Sequence, residues 1–478
     1  MFFGLTALDA VAQDTYEEWK KQQMQEFKEF QDARDKEFLK MLDDTWKAIN
    51  SMKAGDLYEE PKPDRLPKVE TPTVPQPRAG DEPVIEDIEI PDIDSEPDFG
   101  QQIELPKRPT VIRGYTESEL DFYGVPVSYS YPKSIDTSLG FKIEKEKISE
   151  FWGELGSANY NPMLKQSQEI KERLALNDWG YALILYRMGQ DIYGRRSNES
   201  VLFTWFMMTK AGYRVKVGYD QEGVYLLVPT ASELYNTRFF RIDGIKHYGL
   251  TLDNTGSVPS SIFTYDGSYP NADKKMDLNI DAAPKVTQNT INKNFQFTYG
   301  EETFEVPVRV NRNVIAFYEL YPLTELDVYF GASMSPEVKS SLLKGLAPLI
   351  KGKSETEAVN MLLRFVQTAF QYQTDQQQFG KEKYLLPAET LFYPYSDCDD
   401  RTIMFATLVR ELVGLDVIGV HYPGHLATAV RFSNAPDGDF VMAKGAKYTI
   451  ADPTYENANI GMTMPQYRNQ EPELLGLK

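Results

Sequence analysis

The spacing of apolar side chains in the first part of the chain predicts a long helix. Across residues 14–54, apolar residues recur mostly three or four positions apart, as at Trp19, Phe27, Phe38 and Trp46, and no proline or glycine interrupts them. This spacing is typical of an amphipathic helix. Its apolar stripe must be covered, so we expect either a partner helix, through a coiled coil or self-association, or the folded body of the protein.

The pattern changes at residues 55–110, where proline and acidic residues replace most aromatic side chains. Proline removes backbone donors and favours extended conformations, so this composition predicts a semi-rigid acidic linker. The acids lack the spacing of a calcium-binding loop.

Residues 1–13 end in a small-residue Ala-Val-Ala triplet. We interpret them either as the remnant of a signal peptide or as an ordinary chain end. The first interpretation predicts a periplasmic or secreted protein, and the second leaves a cytoplasmic location open.

Two later regions repeat one pattern. Residues 200–219 (SVLFTWFMMTKAGYRVKVGY) and 402–422 (TIMFATLVRELVGLDVIGVHY) each give an apolar helix, a glycine and a strand. Aligning Gly212 with Gly414 brings Arg196 opposite Cys398 and Gly223 near His425. We interpret this as an internal duplication, with chance recurrence of a common local pattern as the alternative.

The duplication divides the rest of the chain into three regions. Residues 111–265 hold the first copy, with further strands predicted at 224–229 and 237–243. Residues 266–335 alternate turns with β-type runs such as NFQFTYG, TFEVPVRV and VIAFYELY, which predict a β-rich bridge. Residues 336–478 begin with two amphipathic helices and end with the second copy. The fold class predicted is therefore α+β.

Composition and charge limit the classes of function that the chain can have. With 478 residues and 41% hydrophobic side chains, the chain is long and apolar enough for several packed domains. A net charge of -20 argues against nucleic acid as a partner. No apolar run approaches the ~18 residues that span a membrane. A single cysteine excludes an internal disulfide and a Cys-rich metal centre, so we expect neither a metal nor a cofactor.

That cysteine lies where a thiol can be activated. Cys398 precedes an apolar helical run, and the start of a helix favours thiolate over thiol. His425 opens an alternating strand after a Pro-Gly turn, and Asp452 ends another β-type run. An adjacent imidazole would take the thiol proton, and a carboxylate would orient that imidazole. His421 is the alternative base.

The segment from 354 to 455 resembles the transglutaminase-like superfamily, which has a papain-type Cys-His-Asp triad. The resemblance rests on Asp-Cys-Asp-Asp-Arg at 397–401, Gly-His at 424–425 and Asp-Pro-Thr at 452–454. It implies that Cys398 is the nucleophile, that His425 is the general base and acid, and that Asp452 fixes the imidazole tautomer. The first copy would then be a degenerate transglutaminase-like domain.

The resemblance implies acyl transfer from a protein or peptide amide through a thioester. Attack by water would make a cysteine peptidase or amidase, which we favour because no feature predicts a water-excluding tunnel. Attack by a lysine amine would make a cross-linking enzyme. A noncatalytic binding scaffold is the third hypothesis.

An acyl transfer site also needs oxyanion donors. The backbone N–H of Cys398 is the first candidate. Gln376, Gln377, Gln378 and Tyr384 lie upstream as candidates for the second, which the sequence leaves unassigned.

Overall fold

The computed structural model of the chain describes residues 33–53, 62, 65–75, 83–86, 88, 112–140, 142–253 and 256–476. The signal-peptide interpretation of residues 1–13 and the predicted helix before residue 33 lie outside these described residues. No described helix is both long and apolar enough to cross a membrane.

The N-terminal helix ends earlier than the spacing predicts. Helix α1 (33–45) buries Phe38 and Leu42 in the body of the protein, so its described apolar stripe packs within the chain. The chain then forms strands β1 (Trp46–Asn50) and β2 (Met52–Lys53). The prediction of a helix up to residue 54 was therefore wrong at its end. Strand β1 pairs with a distant strand and the Trp46 ring lies 5.1 Å from that of Tyr219, so tertiary pairing outweighs the local helical spacing.

The first half consists of a hairpin, four helices and a sheet. The hairpin is β3 (Tyr115–Phe122) and β4 (Val125–Pro132). The helices are α2 (Lys145–Ser157), α3 (Asn161–Arg173), α4 (Asp178–Ile192) and α5 (Ser197–Lys210). The strands that follow are β5 (Lys216–Tyr219), β6 (Val224–Val228), β7 (Arg238–Ile242), β8 (Ile245–Leu250) and β9 (Ser261–Tyr265). The sheet order is β1-β9-β5-β6-β8-β7-β2.

The second half repeats this plan with additions. It begins with the hairpin of β10 (Thr290–Tyr299) and β11 (Glu302–Asn311), then α6 (Arg312–Glu319), α7 (Leu326–Phe330), α8 (Pro336–Ile350) and α9 (Glu355–Ala369). Short elements follow: β12 (Gln371–Tyr372), α10 (Asp375–Gln378), α11 (Pro387–Phe392) and β13 (Tyr395–Ser396). Helix α12 (Cys398–Leu412) leads into β14 (Asp416–Tyr422), β15 (His425–Arg431), β16 (Phe440–Ala443), β17 (Ala446–Ala451) and β18 (Glu473–Leu475). The sheet order is β16-β17-β15-β14-β18.

These elements confirm the α+β class and correct one detail of the bridge. The run VIAFYELY, predicted as β-type, lies mostly in helix α6. Val314, Ile315, Phe317 and Tyr318 are buried at helical spacing, and the Asn311 side chain caps the helix by accepting from the Asn313 N–H. Periodicity alone cannot separate helix from strand in so short an apolar run. The strands predicted near 224–229 and 237–243 and the two helices after 336 are confirmed.

The two sheets share a register as well as an order. Gly419 pairs with Thr428 in the second sheet, and Val217 pairs with Leu226 in the first. These are the positions that correspond when Gly212 is aligned with Gly414. The sequence alignment therefore matches strand pairing residue for residue across the first hairpin of each sheet.

One apolar cluster extends across both halves. The apolar cluster of the first half also includes Tyr329, Tyr384 and Ile403 from the second half. A second cluster surrounds α12 and includes Cys398 itself. The start of α12 is thus held between packed layers.

Candidate active site

Helix α12 begins at Cys398, as the sequence predicts. Asp397 is its N-cap, and its carboxylate accepts from the Asp399 N–H at 3.3 Å. The Asp400 carboxylate accepts in turn from the Asp397 N–H at 3.1 Å, which completes a capping box. The thiol therefore lies at the positive end of the helix dipole, where a thiolate is stabilised.

The first turn of α12 is fixed against strand β15. The Thr402 hydroxyl donates to the Leu426 carbonyl at 3.0 Å, next to His425. The buried Arg401 guanidinium donates to the carbonyls of Gln367 at 3.2 Å and Phe370 at 2.8 Å. These bonds tie the start of α12 to α9 on one side and to the sheet on the other.

His425 and Asp452 are in direct contact. His425 Nε2 lies 2.8 Å from Asp452 Oδ2, and both residues are buried. Asp452 Oδ1 accepts from the N–H groups of Thr454 at 2.9 Å and Tyr455 at 3.1 Å, which fixes the carboxylate. Because the carboxylate selects the tautomer protonated at Nε2, the lone pair lies on Nδ1. His425 Nδ1 has no hydrogen-bond partner among the described residues.

Two residues that sequence analysis missed support this pair. Tyr467 stacks on the His425 ring with centroids 5.2 Å apart and planes 13° apart. The Gln367 amide donates at 3.0 Å to the carbonyls of Asp452 and Ala458. Gln367 could have been found as a polar residue on the apolar face of α9, whereas Tyr467 lies in irregular chain and carries no such signal.

The thiol itself faces a carboxylate. Cys398 Sγ lies 3.5 Å from Asp399 Oδ1, and the residue is 1% exposed. The thiol thus has a hydrogen-bond partner in Asp399, its neighbour in the chain. The structure places the histidine and the aspartate in direct contact, and it buries the thiol at the start of α12.

His421, the alternative base, has a different environment. Its Nδ1 lies 3.7 Å from a carboxylate oxygen of Glu473 on strand β18, and its side chain is 36% exposed. Of the two histidines, His425 is therefore the one oriented by the predicted aspartate.

The oxyanion candidates named from the sequence lie in other roles. Gln378 exchanges hydrogen bonds with the backbone of Tyr395 at 3.1 and 3.3 Å. Gln376 and Gln377 are exposed. Tyr384 is buried, with its ring 5.3 Å from that of Tyr329.

Tyr372 is a better donor that the sequence analysis missed. Strand β12 pairs with β13 so that Tyr372 lies opposite Ser396, two residues before Cys398. Its hydroxyl is buried and has no hydrogen-bond partner within the described part of the chain. Burial, followed by the nearby Cys398 and Asp397, raises the pKa of Tyr372 far above its usual value, so the hydroxyl keeps its proton.

A cluster of carboxylates borders the thiol. Oxygens of Asp375, Glu382 and Asp397 lie within 4.8 Å of one another, a spacing that could hold a metal ion. Burial raises the pKa of each of these three carboxyl groups. The Lys62 ammonium contacts two of them, Glu382 at 2.7 Å and Asp397 at 3.0 Å.

Comparisons of the chain with protein-family models, with curated proteins and with solved structures found no match. The chemistry of the site is therefore argued from its own residues.

A cavity of about 270 Å³ adjoins this region. Thr251 of the first half and Glu382 of the acidic cluster both line it, together with the rings of Trp179 and Tyr321. It lies between the two halves, beside the carboxylates that border Cys398.

Proposed function

We propose that the chain is a cysteine-dependent acyltransferase that hydrolyses an amide bond in a protein or peptide. The observation that carries the proposal is the 2.8 Å contact between His425 Nε2 and Asp452 Oδ2. This contact leaves Nδ1 as the proton acceptor beside a helix that begins with the only cysteine of the chain. Cys398, His425 and Asp452 would act as a transglutaminase-like triad.

The chemistry follows from these roles. Cys398 Sγ attacks the amide carbonyl carbon while His425 Nδ1 takes the thiol proton. The backbone N–H of Cys398 and the Tyr372 hydroxyl donate to the oxyanion. His425 then gives its proton to the leaving amine as the C–N bond breaks, which leaves a thioester. Water attacks the thioester with His425 as base, and the acid and the thiol are released.

Hydrolysis and cross-linking both pass through the thioester and differ in the nucleophile that attacks it. A lysine amine in place of water would give an isopeptide bond. A fluorescent primary amine offered with a protein substrate separates the two, because only cross-linking incorporates the label.

A noncatalytic binding scaffold is the third hypothesis, and the cavity of about 270 Å³ between the halves would serve it as a binding site. The cavity would receive a peptide side chain. It is also compatible with catalysis, since the first half would then hold the substrate of the second.

The deciding experiment uses alkylation of Cys398 by iodoacetamide over about pH 4 to 9 in the native chain and in His425→Ala. We expect the native rate to reach half its maximum well below the ordinary thiol pKa of about 8.5, and the variant to return to that value. Equal, ordinary profiles in both proteins would overturn the catalytic proposal.

A further inference from the structure

Part of the predicted linker crosses the second half as an extended strap, defined as residues 62 and 65–75. The Val69 N–H donates to the Glu456 carbonyl at 2.8 Å, and the Glu456 N–H donates to the Pro67 carbonyl at 2.9 Å. The Asn457 amide donates to the Val69 carbonyl at 3.1 Å, and the Asn459 amide to Thr73 at 3.0 Å. The strap is thus anchored on the loop that directly follows Asp452.

At one end of the strap, Lys62 enters the acidic cluster. Its ammonium donates to Glu382 at 2.7 Å, Asp397 at 3.0 Å and Asp399 at 2.6 Å. The Lys62 side chain is only 6% exposed, and those of Asp397 and Asp399 are 0% and 4% exposed. Three carboxylate partners satisfy the three donors of a buried ammonium.

One carboxylate joins this ammonium to the thiol. Asp399 accepts from Lys62 at Oδ2 and lies 3.5 Å from Cys398 Sγ at Oδ1. Asp397, the second partner, is the N-cap of the helix that Cys398 begins. A single carboxylate therefore separates the Lys62 ammonium from the sulfur, so a ligand bound in the place of Lys62 would lie beside Cys398.

The cluster also needs a cation. Burial raises the pKa of Asp375, Glu382 and Asp397, and repulsion by neighbouring carboxylates adds to the effect, while Lys62 acts in the opposite direction on all three. If Lys62 left, an equivalent positive charge would have to replace it or the carboxyls would take up protons.

We propose that the strap is an internal ligand that closes the candidate site. Lys62 occupies the position that the primary ammonium group of an external ligand, such as the lysine side chain of a peptide, would take. Displacement of Lys62 by that ammonium would remove the strap from the site and leave the external ligand beside Cys398. The identity of the ligand as a substrate rests on the proposed function, whereas closure of the site by the strap does not.

The test compares Lys62→Ala with Lys68→Ala, a matched control because Lys68 is an exposed lysine of the same strap. The measurement is the rate of iodoacetamide alkylation of Cys398 at about pH 9.5, where a thiol is mostly ionised and the rate reports access. We expect Lys62→Ala to react about 10- to 100-fold faster, because it loses hydrogen bonds between charged groups, and Lys68→Ala to react like the native chain. n-Butylammonium should slow Lys62→Ala again, and butan-1-ol should not.

A folded Lys62→Ala variant with the native rate would overturn closure. Slowing by Ca²⁺ but not by n-butylammonium would overturn the ammonium ligand and indicate a metal site. If Lys62→Ala does not fold, Asn457→Gly combined with Asn459→Ala loosens the strap and leaves the acidic cluster intact, and an unchanged rate there contradicts the proposal. The alkylation pH profile separately tests the triad, so the two proposals can fail independently.

Discussion

The two halves of the molecule share the order of their four central strands, yet only the second carries a cysteine, a histidine and an aspartate at the matching positions. The sequence alignment matches Arg196 to Cys398, and the strand register matches Gly223 to His425 and Thr251 to Asp452. The first sheet forms without a cysteine, a histidine or an aspartate at these three positions. A helix packed on such a sheet therefore does not require a cysteine, a histidine or an aspartate at these positions, and their joint presence in the second half calls for a chemical reason.

The halves also differ in how their central helices are joined. In the first half α4 and α5 are separated only by residues 193–196, whereas residues 370–397 separate α9 from α12. The longer connection supplies Tyr372 and the carboxylates of Asp375 and Glu382. The parts of the site that most distinguish the halves thus lie in an insertion outside the shared scaffold.

The largest expected effect is loss of the nucleophile. We expect Cys398→Ala to lower kcat/KM for an amide substrate by at least about 10⁴-fold, because no other thiol can form the thioester. Arg196→Ala, at the matching position of the first half, should leave kcat/KM unchanged. Steady-state kinetics with both variants measure the difference, and substantial turnover by Cys398→Ala would refute the assignment.

The second-largest expected effect is loss of the Asp452 carboxylate that orients His425. Asp452→Asn should lower kcat by about 10²- to 10⁴-fold, because the neutral amide cannot stabilise the imidazolium. His421→Ala is the control, since His421 contacts Glu473 and not Asp452, and its kcat should stay within about threefold of native. The converse result would make His421 the base.

Tyr372→Phe tests the proposed oxyanion donor. Loss of one such donor costs about 10²- to 10³-fold in kcat and changes KM little, because the bond strengthens only in the transition state. Thermal unfolding should change little, since the hydroxyl has no hydrogen-bond partner among the described residues. A loss of unfolding free energy as large as the loss of transition-state stabilisation, or a rise in KM with kcat unchanged, would indicate that Tyr372 has a packing role.

The site was partly predictable because its signals are local. Cys398 precedes an apolar helix, and His425 and Asp452 flank β-type runs, so sequence alone gives each residue its place at the end of an element. Tyr372 and Lys62 carry no local signal, because their positions depend on β12–β13 pairing and on a strap that docks from far along the chain.

The errors in the fold have the same origin. Trp46 and Ile49 keep the helical spacing of the residues before them, but pairing of β1 with β9 places them in a strand. The apolar run of α6 is compatible with either structure until its packing is known. Sequence periodicity reports which residues are buried, and tertiary contacts decide the backbone that buries them.

The smallest expected effect is on the pH dependence of stability, and it distinguishes His247 of the first half from His425 of the second. His247, on β8 of the first sheet, is fully buried, and its Nδ1 donates to the Ile245 carbonyl at 3.1 Å. Burial lowers the pKa of His247 to about 4, against an ordinary value of 6.5. The unfolded chain therefore binds a proton more readily than the folded chain, so this residue's contribution to stability is complete above about pH 6.5 and is lost as the pH falls toward 4.

His247→Asn keeps a donor near the Nδ1 position and removes the titration. From pH 7 to pH 4 the native chain should lose about 2 to 3 kcal/mol more unfolding free energy than the variant, as measured by urea denaturation at each pH. His425→Asn is the comparison, because His425 has a carboxylate partner that His247 lacks among the described residues. If His247→Asn left the pH dependence unchanged, His247 would not be held neutral by burial, and the contrast between a buried neutral histidine in the first sheet and a carboxylate-paired one in the second would fail.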